Sequence, residues 1–146
     1  MLAAVVCAAA RSQLTAIAPD AANSADTFTT TQWANLNAFA ARLTALGTPA
    51  FDFSLYAVWM LRDAFELGNV PTEAQLSAAS VWMTYAGEPL LRLSNEERSF
   101  EGQLAAPGST YSQRNWTGFN RERLHVWEGG LYGGSRERED TGIARL

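Results

Sequence analysis

A chain of 146 residues, 47% hydrophobic and 18% charged, can bury one core and is too apolar for disorder. Its net charge of -4 and pI near 4.9 disfavour nucleic acid and other polyanions as partners. There is no lysine for Schiff-base chemistry, and lone His125 and Cys7 leave no disulfide and only carboxylates to complete a metal site, so neither metal nor other cofactor is expected.

Helical spacing runs almost throughout. Over residues 2–15, Leu2, Val5, Val6, Ala9 and Ala10 recur on one face of an alanine-rich helix. These opening residues lack the basic start of a signal peptide, and with one cysteine the chain reads as cytoplasmic. The sequon Asn115–Thr117 would matter only in a secreted chain. After a small-polar linker, Thr29–Thr31 supply cap candidates for a helix closed by Gly47. Its Trp33, Leu36, Ala40 and Leu43 form one buried stripe.

A third helix, from Asp52 or Ser54 to Leu67, is apolar round most of its circumference and belongs at the centre of the bundle. Thr72 and Gln75 form a capping box that opens a fourth helix ending at Gly87. A short helix over 88–98 follows, then a loop broken at Pro107-Gly108. Asn120 caps a last helix whose buried edge is Leu124, Trp127 and Leu131, with Phe119 and Leu124 spaced as a hydrophobic staple. The arginines around it, Arg121 and Arg123 among them, alternate with acids and read as a solvated surface. The organisation is therefore one all-α domain over 1–132, a compact irregular bundle of about five or six helices, with a flexible polar tail over 133–146. No run approaches the roughly 20 apolar residues that span a bilayer.

Three stretches, WANLNAFAARLT (33–44), AASVWMTYAGE (78–88) and GFNRERLHVW (118–127), together resemble the fungal family labelled domain of unknown function 3632. The likeness runs from Trp33 to Trp127 in the family's order. It departs from the family at Leu124, where a second tryptophan is usual. The resemblance implies a small helical fold and a fungal intracellular origin, and it brings no catalytic residue with it. By analogy with other fungal proteins of this size, it suggests natural-product tailoring chemistry.

Five tryptophans in so short a chain exceed what packing needs. Their indole N–H groups want acceptors, so Trp33, Trp59, Trp82 and Trp127 are expected to wall a pocket for an apolar or polycyclic small molecule. Asn37, four residues after Trp33, falls on the same stripe and needs a hydrogen-bond partner, either structural or on the ligand. Asp63 shares a face with Trp59, where desolvation would raise its pKa, and Glu66 is spaced to pair with Arg62. Asp63, Tyr85 and His125, the last with Glu122 or Glu128 one turn away, are the candidates for proton transfer or carbonyl polarisation. With no strong nucleophile, the chemistry that fits is cofactor-free preorganisation of a substrate, such as a cyclisation or pericyclic step. The competing expectation is a non-catalytic interaction module or homodimer that uses the tryptophans, Trp116 above all, as anchors.

Overall fold

A computed structural model describes residues 28–143. The helix and the thiol expected within residues 1–27 lie outside the described residues. Four helices follow: α1 (Thr30–Ala45), α2 (Ser54–Phe65), α3 (Glu73–Asn95) and α4 (Arg121–Ile143), with single 3-10 turns at Pro49–Phe51 and Ser109–Tyr111. No strand forms among the described residues beyond one isolated bridge, Ser99 with Gly118. Among the described residues the fold is all-α with four helices; of the five or six expected, the one over residues 2–15 lies outside them.

The helix starts are written locally. Thr29 and Gln32 close a capping box, the threonine hydroxyl accepting from the Gln32 N–H at 3.1 Å while the Gln32 side chain accepts from the Thr29 N–H at 2.9 Å. Thr72 and Gln75 repeat the motif at α3. The Asn120 carboxamide accepts from the Arg123 N–H at 2.7 Å and opens α4. Gly47 ends α1 in the left-handed region (φ 74°), which no side chain opposes there.

Two boundaries differ from the sequence reading. The helices predicted on either side of Gly87 are one helix, kinked at Ala86 (φ -126°, ψ 16°). Pro89 explains it: its ring has no N–H for the carbonyl four residues back, so the helix bends without ending. Helix α4 also continues past Gly133, where the tail was predicted to begin, to Ile143. Glycine lowers helix propensity but fits helical dihedrals, and no proline interrupts that stretch.

Helix α1 lies mainly against α3, and both present alanines at the contact: Ala40 and Ala41 on one, Ala78, Ala79 and Ala86 on the other, all fully buried. Short side chains let the two axes approach closely. Helix α2, which packs on α3, α4 and α1, buries Ala57, Val58, Leu61 and Ala64. The loop over 98–118 folds back on itself, its ends joined by the Phe100 N–H to the Thr117 carbonyl (2.8 Å) and the Phe119 N–H to the Arg98 carbonyl (2.7 Å). Any side chain at Gly118 would overlap the Arg98 carbonyl.

Candidate functional site

Four of the five indoles donate inside the molecule. Trp59 gives its N–H to the Leu104 carbonyl (2.7 Å), Trp82 to the Asn37 carboxamide (2.9 Å), Trp116 to Glu122 (3.1 Å) and Trp127 to Glu66 (2.6 Å). Trp82 and Trp127 have 0% exposure, so no space large enough for a water borders them. The expected pocket wall of Trp33, Trp59, Trp82 and Trp127 is therefore corrected: Trp33 is core, Trp82 and Trp127 are sealed, and Trp59 is half-buried over the loop. Asn37 is buried and structural; its N–H donates to the Trp33 carbonyl at 3.0 Å and its oxygen holds Trp82. Trp116 is not an exposed anchor either. It is buried and stacked on Tyr111 with centroids 5.1 Å apart.

The densest polar arrangement is an interior one. Glu66 and Arg123 are both fully buried and meet fork to fork, Arg123 Nε to Oε2 at 2.9 Å and Nη2 to Oε1 at 3.2 Å. The carboxylate also accepts from the Gly108 N–H (2.9 Å) and from Trp127. Arg123 spends its remaining N–H groups on the carbonyls of Ala105 (2.6 Å), Gly118 (3.1 Å) and Ala106 (3.1 Å), so all five guanidinium donors are used. Its guanidinium carbon lies 5.3 Å from the ring centres of both Trp116 and Trp127. Arg62 adds a bond to the Ala106 carbonyl at 3.1 Å.

Three consecutive loop carbonyls, Leu104 to Ala106, are thus held by side chains from α2 and α4. A loop without secondary structure must find such partners for its buried backbone groups. Gly108 completes the seat, because a Cβ there would stand 2.5 Å from the Glu66 carbonyl oxygen. The expected Arg62–Glu66 pair is corrected: Glu66 turns inward to Arg123, and Arg62 serves the loop. Arg123 was read as solvated, yet it sits four residues before Trp127 on the stripe that α4 buries. That spacing was the signal for it.

The three residues considered for proton chemistry do not share a groove. Asp63 lies 3.9 Å from Arg62 with its side chain 46% exposed. Burial raises its pKa, Arg62 pulls the other way, and Glu66 pushes it up again. Tyr85 is exposed beneath the Arg42 guanidinium, 4.2 Å from its ring centre. His125 is exposed on α4 and lines a groove of about 440 Å³ between α4 and the second half of α3. Leu91, Leu124 and Val126 give that groove an apolar lining, and Arg121, Glu122, His125 and Glu128 give it a polar one.

The polar side is partly fixed. Arg121 donates to Asn95 at 2.7 Å, and Glu122 is held by Trp116 and by Arg114 at 3.5 Å. Neither the imidazole of His125 nor the carboxylate of Glu128 has a hydrogen-bond or ion-pair partner among the described residues. They are one helical turn apart and available to a ligand.

What the geometry defines is a small helical bundle that locks a long loop with a buried ion pair and carries a surface groove lined by His125. The family model described as "Protein of unknown function (DUF3632)" matches residues 3–131, and the chain belongs to that family. No curated protein and no solved structure matches it.

Proposed function

We propose that this protein is a small-molecule-binding domain whose site is the His125 groove and not the aromatic interior. The observation that carries this reading is the pairing of an apolar lining with His125 and Glu128, neither of which has a partner among the described residues, in a groove of about 440 Å³. That volume lies within the usual range for ligand sites, about 300–1,000 Å³. Its ligand class is an apolar body bearing one hydrogen-bonding end, a hydroxyl, carbonyl or ring N–H, directed to the imidazole.

Chemistry at this site would run through His125 as proton carrier, with Glu128 one turn away on the same groove lining. Asp63 and Tyr85 face other surroundings. A pericyclic or cyclising role needs an enclosure that folds a flexible substrate, and an open groove gives less support to that role than to binding. The interaction-module reading loses its anchors, since Trp82, Trp116 and Trp127 are buried in their own fold.

The single histidine makes the test direct, because the Cε1–H NMR signal of the chain's imidazole belongs to His125 alone. Indole, naphthol and camphor are titrated against the full chain. The expected result is a saturable shift of the His125 signal with at least one probe, lost when Leu91, which is exposed, becomes arginine and fills the groove. An unmoved signal up to the solubility limit of all three, or a shift that survives Leu91→Arg, overturns the reading.

A further inference from the structure

We infer that a second groove, on the other flank of the same half of α3, is an anion site for a small organic monocarboxylate. The groove measures about 350 Å³ and lies between the end of α1, the Pro49–Phe51 turn and the kinked part of α3. It is independent of the His125 groove and shares no lining residue with it.

Its charge is unbalanced. Arg92 and Arg98 both line it, against one carboxylate, Asp52. Asp52 is occupied: one oxygen accepts from the Ser54 N–H at the start of α2 (3.0 Å), and the other holds Arg98 at 3.0 Å. Burial would raise the Asp52 carboxyl, but Ser54 and Arg98 together outweigh it and hold its pKa below the ordinary value, so it stays charged. Arg92 is exposed, and its guanidinium has no partner among the described residues. One positive charge is therefore left over in a groove of a chain whose net charge is -4.

Arg98 is also placed at a cost. The residue before it, Glu97, has φ 52°, the one non-glycine in the left-handed region among the described residues. That conformation closes α3: the Arg98 N–H reaches the Leu93 carbonyl at 3.0 Å and the Glu97 N–H reaches Ser94 at 3.3 Å. Beyond that turn, Arg98 lies over the Phe100 ring at 4.9 Å and against Asp52 at 3.0 Å. Arg98 is thus fixed on the groove wall by Asp52, and Arg92, without a partner among the described residues, is the cation left for a ligand.

The ligand class follows from the rest of the lining. Pro49, Pro89 and Leu93 are apolar, which suits an organic body. The Asp52 carboxylate opposes a second negative charge, so a monoanion is favoured over phosphate. A guanidinium takes a carboxylate through two parallel hydrogen bonds, and the exposed Thr48 hydroxyl is a further donor at the rim.

The test follows the arginine Nε–H and backbone amide signals of the full chain during titration with benzoate, inorganic phosphate and sodium chloride at matched ionic strength. Expected are saturable benzoate shifts at Arg92, Arg98 and Thr48. Arg92→Gln should weaken them at least about tenfold while the melting temperature stays put. Thr48→Val serves as a second, milder variant in the same direction. Equal shifts with chloride or phosphate mark simple counter-ion screening and overturn the proposal, as does benzoate binding that Arg92→Gln leaves unchanged. The His125 signal reports separately on the other groove, so either proposal can fail without the other.

Discussion

At the scale of single residues, the interior ion pair sets the terms. Taking two charges out of water costs several kcal/mol each, recovered here because every donor of Arg123 and both oxygens of Glu66 are bonded. Removing one partner should therefore be severe. Glu66→Gln is expected to lower unfolding stability by about 3–5 kcal/mol in urea titration. Arg123→Lys should cost a similar amount, since an ammonium has three donors and no fork. A loss below about 1 kcal/mol for both would show that the pair is incidental.

Asp63 carries the opposite sign. Its folded pKa is raised, first by burial and then by Glu66 against the pull of Arg62, so its charge costs stability above that folded pKa. The cost is gone below the unfolded value of 3.8. Asp63→Asn should accordingly stabilise modestly at neutral pH, and the gain over the parent should fade as pH falls through the folded pKa toward 3.8. The side chain is nearly half exposed, so solvent screening keeps the effect small. A gain that grows on acidification would contradict the assignment.

At the scale of elements, the ends of the helices were the most legible part of the sequence. Thr29 among the Thr29–Thr31 candidates, Thr72 with Gln75, Asn120 and Gly47 all act where the sequence placed them, because capping is a bond between neighbours in the chain. The kink at Ala86 was legible as a break but not as a continuation, since only packing decides whether a helix resumes beyond a proline. Glu97 was not legible at all: nothing in its type announces a left-handed residue. Glu97→Gly should raise stability by about 1 kcal/mol, read as a higher urea midpoint at unchanged slope. No gain would mean that the lost chain entropy of glycine cancels the relieved strain.

At the scale of the whole molecule, the loop over 98–118 does what a helix would do elsewhere and covers α2 and α4 on one side. It can do so because Trp59, Arg62, Arg123 and Glu66 supply the hydrogen bonds its backbone cannot make internally. That arrangement occupies the indole N–H groups of Trp59 and Trp127. A ligand of the His125 groove touches both α3 and α4 and should raise the melting temperature of the whole domain in proportion to the logarithm of its concentration. A His125 shift without any thermal stabilisation would point to a contact with the imidazole rim alone.

By itself, the sequence determined the all-α class, the caps, the buried stripes carrying Trp33 and Trp127, and the need of Asn37 for a buried partner. These depend on periodicity and on bonds between residues a few positions apart. Only the tertiary structure decided which acceptors the indoles would find, that Glu66 would leave Arg62 for Arg123, and that two grooves would flank the end of α3. Apart from Trp116 with Glu122, six positions on, those pairings join residues 45 to 61 positions apart. Such pairings are set by how the helices cross and by what remains unbonded when they do, and helical periodicity carries no information about either.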